Sequence, residues 1–145
     1  MKNFEYYNPV KLIFGKGQLK KLRPNISNYK KIMLLYGGGS IKKNGLYESI
    51  INELNGLNFI EFSGIEPNPR YETAMKAVEV VNKEGVDFIL AVGGGSVIDA
   101  AKFIAVASKY KDGDPWDILS KNKPVTDALS IGVILTLPAT GSEMN

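Results

Sequence analysis

The chain has 145 residues, 44% hydrophobic and 23% charged, a composition typical of a folded domain rather than of a disordered or fibrous protein. Its 18 basic and 15 acidic residues leave a formal charge of +3 without a dense basic block, which argues against a nucleic-acid-binding protein. It has no cysteine and no histidine, so disulfides, thiolate sites and imidazole chemistry are excluded.

No signal peptide or membrane span is expected. Residues Met1 to Asn8 are polar and aromatic where a signal peptide carries an apolar core, and no run of 18 apolar residues occurs. The lack of cysteine is compatible with the cytoplasmic location that we expect. We therefore expect a single domain over residues 1–145, with no membrane or nucleic-acid partner.

In chain order, the first candidate element is a strand and turn over residues 10–17. Four apolar runs of strand length follow, at residues 32–36, 57–62, 88–92 and 131–135. The segments between them carry apolar residues at helical spacing, namely Leu46, Ile50, Ile51 and Leu54, then Ala74, Ala77, Val78 and Val81, then Val97, Ala100, Ala101, Ile104 and Ala105. Strands that alternate with helices predict an open, Rossmann-like α/β fold, with a parallel sheet covered by helices on both faces.

Local signals predict where one helix begins and ends. Asn68 before Pro69 is typical of an N-cap and a first helical residue, and Gly85 is typical of a C-cap. Residues 112–124 predict a polar loop before the last strand.

Three predicted strands are followed by unusual turns. Gly37-Gly38-Gly39-Ser40 and Gly93-Gly94-Gly95-Ser96 follow two of them, and a threonine-containing stretch at 136–142 follows the last. Ligands of open α/β sheets bind at the carboxyl ends of strands, and glycine lets a phosphate approach the backbone and the next helix start. The turns therefore indicate a nucleotide diphosphate site, although residues 93–98 lack the last glycine of the common dinucleotide fingerprint.

A purely structural interpretation remains open beside it. Ser96 and Asp99 have the spacing of a capping box, in which the two side chains would only start a helix. The first turn bears on the type of coenzyme, because residues 37–43 contain no acid and Ser40, Lys42 and Lys43 are suited to surround a 2′-phosphate. The alternative for both lysines is that they face solvent.

Together these motifs resemble the iron-containing alcohol dehydrogenases, closest to the butanol dehydrogenase branch. The resemblance runs over essentially the whole chain and rests on residues 36–45, 66–70, 93–99 and 138–145. It implies the N-terminal dinucleotide-binding domain of an NAD(P)-dependent enzyme that interconverts alcohols and aldehydes. This branch often prefers NADPH, in agreement with the missing acid.

The resemblance also implies the cofactor contacts, residue by residue. They would fall on Gly37, Gly38 and Ser40 at the adenosine end, Gly94, Gly95 and Ser96 at the diphosphate, Thr136, Leu137 and Thr140 around the adenine and ribose, and Asp99 and Asn145 toward the nicotinamide. Asn68 and Trp116 are further candidates for the cleft wall, and Trp116 is equally well explained as an anchor for its loop.

The resemblance places the metal site outside this chain. In the family one aspartate and three histidines hold the catalytic metal, and all four would lie beyond residue 145. We therefore expect neither a metal ligand nor a catalytic residue here, with iron or another divalent metal bound only by the full-length parent. The chain ends inside the last motif, so we expect an inactive N-terminal fragment of a parent that is a homo-oligomer, a dimer.

Two alternatives remain. The chain is also interpretable as a stand-alone nucleotide-binding or regulatory module. A polyol or glycerol dehydrogenase, or a dehydroquinate-synthase-like protein, shares the architecture, but a different serine and threonine pattern would be expected at residues 138–145.

Overall fold

A parallel sheet of four strands forms the centre of the computed structural model, which describes residues 3–145. The strands are β1 (Ile32–Tyr36), β2 (Phe59–Phe62), β3 (Phe88–Gly93) and β4 (Ser130–Leu135), in the order β2-β1-β3-β4, and every pairing is parallel. The central strands β1 and β3 are buried along their whole length, which explains why their sequences are unbroken apolar runs.

Helices cover both faces of this sheet. They are α1 (Leu22–Ile26), α2 (Leu46–Leu54), α3 (Tyr71–Glu84), α4 (Gly95–Ala107) and α5 (Trp116–Ser120), together with 3-10 turns at Gln18–Lys21 and Ser40–Lys42. Because side chains alternate along a strand, Met33 and Leu35 face α3 and α4, whereas Ile32 and Leu34 face α1 and α2. The predicted α/β fold, with its parallel sheet and two helical layers, is confirmed.

The helix boundaries correct two local predictions. Helix α3 begins after Arg70, not after Asn68, because Asn68 has a left-handed backbone with φ of 57° and cannot join the helix. Gly85 does cap its end, as predicted, with φ of 67°. The segment 112–124 is not entirely loop, since α5 forms within it.

Of the strand and turn predicted over residues 10–17, the strand is wrong and the turn is present at residues 15–17. Residues 10–14 form no regular secondary structure, and the Leu12 and Phe14 side chains are 70% and 91% exposed. A strand requires a second strand to pair with, and none of the strands within residues 3–145 pairs with this segment. Strand β2 likewise begins at Phe59 rather than Leu57, because the Leu57 amide donates to Leu54 O at 2.9 Å in the preceding turn.

Within residues 3–145, no helix combines the length and apolarity needed to cross a bilayer. The polar stretch Met1–Asn8 begins with Met1 and Lys2, which lie outside the described residues.

Candidate functional site

Three turns meet at one edge of the sheet. Tyr36 pairs in register with Val92, and Gly93 with Leu135, so the carboxyl ends of β1, β3 and β4 are level. Each of the turns that carry the predicted site residues starts directly after one of these ends. The sheet therefore brings the first two glycine-rich turns and the threonine-containing third turn to the same side of the molecule.

The first turn combines one tightly packed glycine with one open glycine. A Cβ on Gly37 would lie 3.1 Å from Ile65 O, and Gly64 N donates to Gly37 O at 3.1 Å, so Gly37 joins β1 to the loop after β2. A Cβ on Gly38 would meet no atom within 4 Å. No neighbouring atom requires a glycine at position 38, and its backbone is open to solvent. Ser40, at the start of the 3-10 turn, is also exposed.

The second turn leads straight into α4, and here the predicted capping box is wrong. The N-cap is Gly94, which has no side chain to cap with, and Ser96 lies inside the first helical turn. Ser96 Oγ instead accepts a hydrogen bond from Asn68 N at 3.4 Å, and Asp99 is exposed. The first amides of α4 therefore have no side-chain cap, and the positive end of its dipole lies at the edge where the three turns meet.

Two glycines of this turn are needed for close packing. A Cβ on Gly93 would lie 2.6 Å from Val97 Cγ2, and one on Gly95 would lie 2.5 Å from Thr140 Oγ1. A Cβ on Gly94 would reach only Leu137 Cβ, at 3.9 Å. Gly94 is thus the one whose backbone stays approachable between the second and third turns.

The third turn folds against the start of α4. Thr136 N donates to Gly93 O at 3.0 Å, and the Thr140 and Ser142 hydroxyls are 2.8 Å apart. Ser142 is 2% exposed, whereas Leu137 is 65% exposed. The end of the turn is held by Lys102 on α4, whose ammonium donates to Asn145 O at 2.9 Å and also to Asn145 Oδ1.

The predicted residues are therefore only partly in mutual contact. Gly94 approaches Leu137 and Gly95 approaches Thr140. Gly37 is linked to the second turn through Val97, whose Cγ2 would lie 3.7 Å from a Cβ on Gly37. Asp99 stands exposed on α4, while Asn145 is bound by Lys102.

The lysines after the first turn differ from each other. Lys42 is exposed, and its Nζ lies 4.6 Å from the Tyr47 ring centroid and 5.4 Å from that of Tyr36, so the ammonium lies over two aromatic rings. The Tyr36 hydroxyl is the main cause that raises the pKa of Lys42 above its ordinary value, and the lysine stays charged at neutral pH. Lys43 is exposed.

Trp116 packs against a neighbouring aromatic residue. Its ring centroid is 5.2 Å from that of Tyr71, and its amide donates to Asp114 Oδ1 at 2.9 Å. This amide, followed by the Tyr71 hydroxyl, lowers the pKa of Asp114. These contacts anchor α5 onto α3, as the loop-anchor interpretation predicts, although Trp116 remains 47% exposed.

Comparison with known proteins decides the family. The family model described as iron-containing alcohol dehydrogenase matches residues 9–145. The chain belongs to this family. The resemblance inferred from the glycine turns and from residues 138–145 is confirmed.

Among the relatives of this iron-containing alcohol dehydrogenase family member, some are named as NADH-dependent and others as NADPH-dependent enzymes. The chain is 56% identical to the probable NADH-dependent butanol dehydrogenase 2 of Bacillus subtilis and 48% identical to the NADPH-dependent aldehyde reductase YqhD of Escherichia coli, over its whole length in both cases. It spans 38% of the length of each of these relatives.

Solved structures agree in fold. The crystal structure of E. coli K-12 YqhD has a TM-score of 0.94 at 48% identity, covering 99% of this chain and 37% of that one. The NADH-dependent butanol dehydrogenase A of Thermotoga maritima has a TM-score of 0.93 at 44% identity, covering 100% of this chain and 37% of that one.

The residues present do not fit the metal for which the family is named. The chain contains no histidine or cysteine, and within residues 3–145 no three acidic side chains gather as a metal site requires. The pyrophosphate of a coenzyme does fit, because the backbone at Gly94 is open at the uncapped start of α4.

Sequence reasoning missed two side chains near these turns. Glu61 on β2 accepts hydrogen bonds from both the Tyr36 and Tyr47 hydroxyls, and Lys102 on α4 holds the end of the third turn. Neither belongs to a motif. The available signal for Glu61 was an acid inside the otherwise apolar stretch FIEF.

Proposed function

We propose that residues 1–145 bind the coenzyme of an NAD(P)-dependent alcohol dehydrogenase that interconverts primary alcohols of butanol-like size and aldehydes by hydride transfer, with NADP(H) favoured. The bound nicotinamide would supply or accept the hydride. The residues of this chain bind and orient the coenzyme, and the catalytic metal and most substrate contacts belong to the rest of the parent enzyme.

The observation that carries this proposal is the open backbone at Gly38 and Gly94 on one edge of the sheet. Gly94, Gly95 and Ser96 hold the diphosphate at the start of α4, where unpaired amides and the helix dipole favour an anion. Thr136, Leu137 and Thr140 line the adenine and ribose from the third turn. Asp99 and Asn145 lie toward the nicotinamide.

The preference for NADP(H) is supported by the first turn. Gly37, Gly38 and Ser40 contact the adenosine end, and residues 37–43 contain no carboxylate to repel a 2′-phosphate. Lys42, charged and in the same 3-10 turn as Ser40, adds the cation that such a phosphate requires. The named relatives include both NADH- and NADPH-dependent enzymes, and the two dissociation constants distinguish these alternatives.

The test is an NMR titration of the 145-residue chain with NADPH and with NADH, which detects weak binding. We expect shifts of the amides in 37–40, 94–96 and 136–140, with the smaller dissociation constant for NADPH. Gly38→Ala should weaken binding about tenfold, since its methyl group occupies the open backbone, while the urea midpoint stays unchanged. Shifts confined to other segments, or none, would refute the proposal.

A further inference from the structure

A carboxylate beside the first turn joins three secondary-structure elements. Glu61 on β2 accepts a hydrogen bond from the Tyr36 hydroxyl on Oε2 and from the Tyr47 hydroxyl on Oε1, both at 2.8 Å. Tyr36 ends β1 and Tyr47 lies in the first turn of α2. With one phenol on each oxygen, Glu61 fixes the two rings relative to each other, at a centroid distance of 6.1 Å and an interplanar angle of 64°.

These two rings are the platform on which Lys42 lies. Its ammonium is 4.6 Å from one centroid and 5.4 Å from the other. Lys42 shares the 3-10 turn Ser40–Lys42 with the serine expected at the adenosine end of the coenzyme. A lysine on a flexible stem loses considerable side-chain entropy when it binds an anion, and a platform that already restrains it lowers that loss.

We propose that Glu61 is a positioning residue for coenzyme selection, which acts through Tyr36 and Tyr47 to hold Lys42 where it favours a coenzyme with a 2′-phosphate over one with a 2′-hydroxyl. The inference rests on the proposed coenzyme-binding function. Glu61 itself contacts no part of the coenzyme.

The charge of Glu61 and its hydrogen bonds act in opposite directions, so the two can be separated. A carboxylate near a phosphate repels it, so if Glu61 acted only by charge, its removal would strengthen 2′-phosphate binding. As the support of the platform, its removal weakens that binding. Glu61→Ala removes both the charge and the hydrogen bonds, whereas Glu61→Gln removes the charge and keeps an amide that can bond to both phenols.

The experiment compares 2′,5′-ADP with 5′-AMP as probes for the 145-residue chain, by NMR titration. The quantity measured is the dissociation constant of 5′-AMP divided by that of 2′,5′-ADP. A larger ratio means a stronger preference for the 2′-phosphate, the group by which the two probes differ. We expect Glu61→Ala and Lys42→Met each to lower the preference for 2′,5′-ADP about three- to fivefold, as for an exposed charge pair. Glu61→Gln should keep or increase the preference.

Two further variants guard against indirect effects. Lys76→Met removes an exposed lysine on α3 and should leave the ratio unchanged, which controls for net charge. Adding Glu61→Ala to Lys42→Met should cause no further loss, because Glu61 acts through that lysine. If Glu61→Ala disturbs folding, Tyr47→Phe removes one phenol contact at the half-buried start of α2 and should lower the ratio in the same direction.

The outcomes separate this inference from the proposed function. If the wild-type chain binds both probes and Glu61→Ala leaves the ratio unchanged or raises it, the platform is refuted while coenzyme binding stands. A lower ratio in the double variant Glu61→Ala/Lys42→Met than in Lys42→Met alone would also refute the platform. If NADPH and NADH shift no amides at the three turns, the proposed function fails and this inference fails with it, whereas NADPH binding without any preference for 2′,5′-ADP over 5′-AMP refutes the platform alone.

Discussion

The sheet and a helix approach each other closely at Gly93, where β3 ends, and this contact gives a sharp test of the packing that positions the second turn. A Cβ placed there would lie 2.6 Å from Val97 Cγ2 and 2.9 Å from Val97 Cβ. We therefore consider Gly93→Ala. A new rotamer of Val97 can move its methyl groups but not its Cβ, so the start of α4 must shift away from β3.

The size of the effect follows from these distances. Carbon atoms pack at about 3.5–4.0 Å, so the added methyl overlaps its neighbours by about 1 Å. Overpacking a core by this amount costs about 1–3 kcal/mol, and both residues are buried. We expect Gly93→Ala to lower the free energy of unfolding by about 2 kcal/mol, with the variant still folded.

Urea denaturation followed by far-UV circular dichroism measures this change, with an unaltered m-value as evidence that only stability has changed. Val97→Ala removes the 2.6 Å contact and leaves the one at 2.9 Å, so the double variant should be more stable than the sum of single effects predicts, by about 1 kcal/mol. Gly38→Ala is the matched control and should stay within about 0.5 kcal/mol of the wild type. A Gly93→Ala variant as stable as this control, or strict additivity with Val97→Ala, would refute the reasoning.

Three further predictions concern single side chains. Ser96→Ala should change the unfolding free energy by less than about 0.5 kcal/mol in urea, because Ser96 caps no helix, whereas a lost cap costs about 1 kcal/mol. The Lys31 ammonium, 2.6 Å from Glu84 Oε2, lowers the pKa of Glu84 below 4.5. In acid the unfolded chain therefore binds more protons than the folded one, so the stabilisation by this ion pair is lost as pH falls through the lowered pKa. Below about pH 4.5, the urea midpoint should fall less steeply in Glu84→Gln than in the wild type. Asp114→Ala should increase acrylamide quenching of Trp116 fluorescence, because it removes the carboxylate that accepts the Trp116 amide hydrogen.

Each of these has a contrary outcome. A loss of a full kcal/mol or so in Ser96→Ala would restore the capping interpretation. Parallel acid limbs for the wild type and Glu84→Gln would mean that the ion pair with Lys31 does not form in solution. Unchanged quenching of Trp116 would mean that α5 is held by the aromatic contact with Tyr71 alone.

The sheet was predictable because its central strands obey a simple rule. Strands β1 and β3 are covered on both faces, so nearly every residue in them is apolar and their bounds are easy to see. The helical segments were predictable for a related reason, since the apolar residues at helical spacing in α3 and α4 are the buried ones. These signals lie within single elements and need no knowledge of what packs against them.

Predictions that depend on distant parts of the chain were less accurate. The segment 10–14 has the apolar residues of a strand, but strand formation requires a partner backbone, which local sequence cannot identify. Glu61 is similar: its partners Tyr36 and Tyr47 are 25 and 14 residues away along the chain. The predicted start of α3 was wrong for a different reason, since Asn68, directly before Pro69, has a left-handed backbone conformation.

The two GGGS sequences show how far a motif can predict its own structure. At residues 37–40 the third glycine has φ of 95° and the chain makes only a 3-10 turn, since the following residues IKKNG end in a second left-handed glycine, Gly45. At residues 93–96 the third glycine is already helical, because the following VIDAAK continues α4 with buried Val97 and Ile98. Only the second turn thus presents a long helix with an uncapped start, as a diphosphate requires. The first turn presents side chains and open backbone, which suits recognition of an adenosine substituent, and the different roles proposed for the two motifs follow from the residues after them.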